Sequence, residues 1–170
     1  ATTTRRAVDE ITGTGARILD TRKTAPGLRI LDKMAVAVGG GRNHRMGLYD
    51  AVMIKDTHLG VGGSVGEAVR AALAAGVPAE RITAEVRDLS QLEEAIAAGA
   101  GRALLDNMSV EQIREAVGAG KGRIVLEASG GLRPGGLRAV AETGVDFLSV
   151  GWLTHSVTAA DVAMEMEEAP

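Results

Sequence analysis

The sequence predicts an α/β fold in which about six parallel strands curl into a TIM-like barrel. Apolar runs at 16–19, 51–54, 82–86, 102–105, 124–126 and 147–150 each end in polar, charged or glycine residues. Segments of helical length, rich in Ala, Leu and charge, separate most of them, and repeated strand–helix units of this kind make a parallel sheet. Composition points the same way. Aromatic residues are 2% of a chain that is 45% hydrophobic, so the core must be built from Val, Leu, Ile, Ala and Met, which suits parallel strands covered by helices. No break in composition divides the 170 residues, and a single barrel domain over 1–170 is expected.

A helix is expected from about Thr4 to Glu10, ended by Gly13 and Gly15. The first strand covers 16–20 and runs into a turn at Pro26-Gly27. Leu28, Leu31, Ala35 and Val38 then recur at helical spacing. Gly39-Gly-Gly41 leads into Arg42-Asn-His-Arg45 and a second strand at 51–55. A glycine-rich loop at 60–63 follows. Ser64 is placed to cap a helix over 65–75, with Glu67 three residues on to complete a capping box. Strand three, 82–86, leads through Asp88-Leu-Ser90 to a helix at 91–98. Strand four ends in Asp106, and Ser109 caps a helix at 110–117. Strand five ends in Ala128-Ser-Gly-Gly131, a helical stretch spans 135–143, and strand six is 147–150. The tail from Ala160 to Glu168 fits both a helix and an alternating strand.

The formal net charge of −3 provides no basic field for nucleic acid or membrane, and scarce aromatics weaken base stacking. No run approaches the ~18–20 apolar residues of a membrane span, and the first residues lack the apolar stretch of a signal peptide. Neither nucleic acid nor membrane is therefore an expected partner. The absence of cysteine removes disulfides, thiolate catalysis and Cys-ligated zinc, and it fits a reducing cytoplasm.

Chemistry in such barrels sits at the carboxyl ends of the strands. Arg22 and Lys23, just past strand one, can bind two oxyanions of one ligand, with Arg22 supplying bidentate geometry. His44 and Arg45 form a second basic cluster. Lys55 shares a strand face with Ala51 and Met53, and at a barrel mouth it needs an anion. A structural ion pair with Glu85 or Asp106 is the plainer reading, and a Schiff-base lysine has no specific support. Glu85 and Asp106 close successive strands and should face one opening. They are placed to hold Mg²⁺ through oxygen ligands, directly or through water, and to stabilise positive charge developing on a sugar carbon. Each could instead cap a helix or pair with a basic neighbour. Ser129, Gly130 and Gly131 after strand five, with Gly151, Thr154 and His155 after strand six, favour a phosphate site. The residues thus describe a cationic pocket for a small polyanion, a carboxylate pair and a phosphate cradle.

Several motifs carry a family resemblance. Asp20-Thr-Arg-Lys-Thr-Ala-Pro-Gly-Leu-Arg29, Gly39-Gly-Gly-Arg-Asn-His-Arg-Met-Gly-Leu48, Ile54-Lys-Asp-Thr-His58, Leu104-Leu-Asp-Asn107, Glu127-Ala-Ser-Gly-Gly-Leu132 and Val150-Gly-Trp-Leu-Thr-His-Ser156 resemble those of quinolinate phosphoribosyltransferases. They occur in order over nearly the whole chain. The resemblance implies an open barrel that joins quinolinate to phosphoribosyl pyrophosphate with Mg²⁺, yielding nicotinate mononucleotide, pyrophosphate and CO₂ for NAD biosynthesis. It implies that Arg22, Lys23, His44, Arg45 and Lys55 hold the quinolinate carboxylates and some phosphate oxygens. Lys23, Lys55, Glu85 and Asp106 are then the catalytic set, with Glu85 and Asp106 facing ribose and metal. Ser129, Gly130, Gly131, Gly151 and His155 would cradle the 5′-phosphate. Thr57 stands where the family usually has Asn. Family members also carry an α/β sandwich domain ahead of this barrel, absent from these residues, which covers a partner's active site in a dimer and supplies a further arginine. A homo-oligomer is therefore expected, and a barrel without that cover should expose apolar surface. The alternative is a barrel that binds phosphate and carboxylate ligands without turnover.

Overall fold

In the computed structural model, which describes residues 1–59 and 63–166, six strands form one all-parallel sheet in the order β1-β6-β5-β4-β3-β2. These are β1 (Arg17–Leu19), β2 (Val52–Ile54), β3 (Ile82–Val86), β4 (Arg102–Asp106), β5 (Val125–Ser129) and β6 (Phe147–Ser149). β1 and β2 are the two edges and do not pair with each other, so the barrel is open there, as expected. Arg42 enters the gap by a parallel bridge to Leu19.

Eight α-helices accompany the strands among the described residues. They are α1 (Thr2–Glu10), α2 (Arg29–Val38), α3 (Asp56–Leu59), α4 (Val65–Ala74), α5 (Leu89–Ala98), α6 (Val110–Gly120), α7 (Leu137–Ala141) and α8 (Trp152–His155). Alternation decides which residues meet them. Ile18, Ile54, Ala84, Leu105, Leu126, Ala128 and Leu148 point outward and are buried with Val69, Leu92, Ile113 and Leu137 of the helices. The apolar core is thus the layer between sheet and helices, and the inward-facing positions carry most of the polar strand residues. Each buried Val, Leu or Ile side chain contributes about 1.5–3 kcal/mol to that layer.

Local signals set the helix starts. Ser64 and Ser109 each form a full capping box, with Glu67 and Gln112. The start of α5 is earlier than expected: Asp88 accepts the Gln91 amide at 2.9 Å and caps the helix from Leu89. α7 is shorter than the expected 135–143 because Gly135 and Gly136 precede its first turn. α3 and α8, each four residues long, had no signal in the pattern. The loop expected at 60–63 lies outside the described residues except for Gly63. The tail is neither helix nor strand from 157 to 166, and its side chains are exposed.

The face that α2 buries is not its most apolar one. Leu28, Leu31 and Val38 do follow a helical period, yet all three are exposed, and α2 buries Lys33 and Val36 instead. The cause lies just past β1, where Asp20 is fully buried and takes Lys33 as its counter-ion. Ile30, Leu31, Met34 and Val38 consequently form an apolar stripe on the surface, with Leu48 and Tyr49 also exposed. Among the described residues, no helix is long and apolar enough to cross a membrane.

Candidate active site

In-register neighbours of a parallel sheet point to the same side. One register row inside the barrel carries Glu85, Leu104 and Glu127, and the next carries Asp106, Ser129 and Ser149. They line a cavity of about 770 Å³ at the carboxyl ends of the strands. Arg22, Lys23, His44, Arg45, Lys55, Glu85, Asp106, Ser129, Gly130, Gly131, Gly151 and His155 all border it. These site residues are therefore brought to one place, whereas Thr154, named with the phosphate loop, is buried and does not border the cavity.

The cationic wall comes from the loop after β1 and the segment in the open gap. Arg22, Lys23 and Arg45 make no ion pair among the described residues. The Arg22 Nε is buried without a hydrogen-bond partner. Burial first, and then the neighbouring Arg22 charge, push the Arg45 guanidinium below its ordinary value, against an upward pull from Asp50. Two partly buried guanidiniums that make no ion pair among the described residues suit a multiply charged anion. Arg45 is aimed by donating to the Ala51 carbonyl at 2.9 Å. The loop bearing Lys23 is tied to α8, where the Thr154 hydroxyl donates to the Lys23 carbonyl at 2.7 Å.

On the opposite side Lys55 Nζ donates to Glu85 Oε2 at 2.7 Å, so the plainer ion-pair reading of Lys55 is correct as far as contacts go. The pair lies in the cavity wall, where an incoming ligand can compete for either partner. Neither Glu85 nor Asp106 caps a helix, since Asp88 and Ser109 do so. Two carboxylates suit Mg²⁺, which keeps several waters and is held by one or two carboxylates plus substrate phosphates. Thr57 is exposed on α3, its amide donating to Asp56 Oδ1 at 2.7 Å.

At two glycines a side chain would collide with a neighbouring one. Gly130 has φ +92°, and a Cβ there would sit 2.2 Å from Asn107 Oδ1. A Cβ at Gly151 would approach His155 Nε2 to 2.8 Å. The same loop is pinned by Trp152, whose Nε1 donates to the Leu132 carbonyl at 2.9 Å.

The cavity floor holds what the sequence reading missed. Glu127 is fully buried and accepts from Arg102 Nη1 at 2.9 Å and from Ser149 Oγ at 2.5 Å. Its Oε2 lies 3.3 Å from His44 Nε2, out of line for a hydrogen bond. His44 Nδ1 accepts the Arg45 amide at 2.7 Å, so a neutral ring carries its proton on Nε2, facing the carboxylate. Burial pushes the Glu127 carboxyl up, but His44, Ser149 and Arg102 outweigh it and hold the group below its ordinary value. A signal was present: a lone charge inside the apolar run Ile124-Val-Leu-Glu-Ala. Arg133, also missed, borders the cavity beside the glycines.

Residues 1–165 match the family described as quinolinate phosphoribosyl transferase, C-terminal domain. The chain is 45% identical over 166 residues to the probable nicotinate-nucleotide pyrophosphorylase [carboxylating] of Bacillus subtilis, covering 98% of this chain and 57% of that protein. It is 47% identical over 169 residues to the nicotinate-nucleotide pyrophosphorylase [carboxylating] of Mycobacterium leprae, covering 98% and 59%. The solved structure of NadC from Streptococcus pyogenes superposes with a TM-score of 0.88 at 40% identity, covering 96% of this chain and 57% of that one. The chain thus spans a little over half the length of these relatives. A family match across nearly all its residues places the chain in the quinolinate phosphoribosyltransferase family, as its C-terminal domain.

Proposed function

We propose that this barrel carries the transfer chemistry of a quinolinate phosphoribosyltransferase, with quinolinate and phosphoribosyl pyrophosphate as substrates and nicotinate mononucleotide, pyrophosphate and CO₂ as products. The observation that carries the reading is one cavity shared by Glu85, Asp106 and the cations Arg22, Lys23 and Arg45, which make no ion pair among the described residues. The printed names of the relatives, which include carboxylating pyrophosphorylases and decarboxylating quinolinate phosphoribosyltransferases, support it.

In this reading Arg22, Lys23, His44 and Arg45 bind the two carboxylates and present the pyridine nitrogen to the ribose. The nitrogen bonds to the anomeric carbon as the bond to pyrophosphate breaks. Glu85 and Asp106 stabilise the positive charge that develops on that carbon. Lys55 is drawn from Glu85 toward ligand oxygens, freeing the carboxylate to face the sugar. Ser129, Gly130, Gly131, Gly151 and His155 hold the 5′-phosphate. The carboxylate beside the ribosylated nitrogen then leaves as CO₂, its bonding pair taking a proton at the ring carbon. Mg²⁺, held by Asp106 and Glu85 with the diphosphate, would neutralise the leaving group's charge.

A homo-oligomer and a place in NAD biosynthesis belong to the same reading. The absence of cysteine supports a reducing compartment such as the cytoplasm. Some plant relatives are named mitochondrial or chloroplastic, so the compartment varies within the family.

The deciding experiment incubates the chain with quinolinate, phosphoribosyl pyrophosphate and Mg²⁺ and measures nicotinate mononucleotide against Glu85→Ala. Product that falls by about a hundredfold or more in the variant is expected. Equal product in both would remove Glu85 from the chemistry. No product from folded protein, with quinolinate still bound, would make this barrel the ligand-binding part of a larger active site.

A further inference from the structure

We infer that the buried Lys33–Asp20 pair, with Asn43, is a positioning device that sets His44 and Arg45 for the dicarboxylate ligand, an inference that rests on the ligand reading above. Neither Asp20 nor Lys33 borders the cavity. Both side chains are essentially fully buried, with Lys33 Nζ 2.5 Å from Asp20 Oδ1. A buried ion pair is a poor stabiliser compared with packed hydrophobic side chains, so what this pair grips is the informative part.

It grips the backbone of His44 at both ends. The His44 amide donates to Asp20 Oδ1 at 2.8 Å, and its carbonyl accepts from Lys33 Nζ at 3.0 Å. Asn43 Nδ2 adds a donation to Asp20 Oδ2 at 2.5 Å and another to the Lys33 carbonyl at 2.8 Å. These bonds matter because of where the segment lies. It occupies the open gap between β1 and β2, and only Arg42 makes a strand-like bridge to β1. Beyond Arg42, side chains do the work that a sheet ladder does elsewhere.

The effect reaches the cavity through two further bonds. With its backbone clamped, His44 Nδ1 accepts the Arg45 amide at 2.7 Å, which turns Nε2 toward Glu127 at 3.3 Å. Arg45 is carried by the next residue and reaches the cavity from the same segment. Loss of the clamp therefore disperses the carboxylate-binding groups and leaves the glycine loops after β5 and β6 in place.

The test uses the whole chain and the paired variant Asp20→Asn/Lys33→Met, which removes both charges together. Calorimetric titrations with quinolinate and, separately, ribose 5-phosphate are combined with ¹⁵N shifts of the His44 ring, assigned by a His44→Gln sample. Quinolinate is expected to bind about tenfold more weakly, with ribose 5-phosphate unchanged and the His44 ring averaging between tautomers. Equal weakening of both ligands, or unchanged quinolinate affinity and tautomer, would overturn the inference. If the paired variant does not fold, Asn43→Ala loosens the same segment without stranding a charge, and the same split is expected at smaller amplitude. If the parent chain binds no quinolinate, the ligand reading fails, and the His44 tautomer alone then decides whether the clamp positions the ring.

Discussion

Glu127 shows how one buried carboxylate organises a site built largely of cations. It satisfies Arg102 and Ser149 and faces His44, so the floor of the cavity is rigid and electrically balanced while the wall above it is not. Its native carboxyl titrates below the ordinary 4.5 because His44, Ser149 and Arg102 together outweigh burial. On acidification the unfolded chain therefore takes up this proton first. The stabilisation is complete above the ordinary value and is lost as pH falls through the native one. Glu127→Gln removes this dependence and is expected to cost about 2 kcal/mol at neutral pH. Urea denaturation over a pH series checks both. A variant whose stability falls with acid as steeply as the parent's would show that Glu127 is not the titrating group.

Caps and turns decide where the elements begin, and they do so independently of the cavity. Ser109 accepts the Gln112 amide while Gln112 reaches back to the Ser109 amide at 2.8 Å, closing the first turn of α6. Ser109→Ala is expected to lower stability by about 1 kcal/mol with quinolinate affinity unchanged, because α6 packs on the outer face of the sheet. Denaturant midpoints and calorimetry on the same sample read the two quantities. α2 is the contrasting case. Its sequence period points to one face, but a charge demand from Asp20 turns a different face inward.

The open barrel and the outward stripe of α2 belong together at the scale of the molecule. The gap between β1 and β2 admits the His44 segment, and α2 lies over that region with Ile30, Met34 and Val38 exposed. Exposed apolar stripes of this kind favour association, and in the proposed homo-oligomer a second copy of the chain would be the occupant. Met34→Lys is expected to shift the population toward monomer in sedimentation velocity. Ribose 5-phosphate affinity should stay at the parent value. A parent that remains monomeric at every concentration would remove self-association by this chain from the reading.

The six strands, most of the helices between them and about half of the residues that line the cavity were legible in the chain. Strand alternation and strand-end chemistry are local properties that survive without a three-dimensional frame. Lys55 and Asp106 could be assigned to one opening because parity and position at a strand end suffice for that. The pairing of Lys55 with Glu85, thirty positions away, needed adjacent β2 and β3. Glu127 and Lys33 were not singled out as functional because nothing beside either one in the chain marks a role. Their meaning depends on partners distant in sequence: Arg102 and Ser149 for one, Asp20 and the His44 backbone for the other. The sequence by itself determined the fold class and the inventory of chemical groups, since periodicity and motif order are written along the chain. Only the tertiary structure decided which charges neutralise one another and which remain free for a ligand, because desolvation and pairing are set by distances across the barrel.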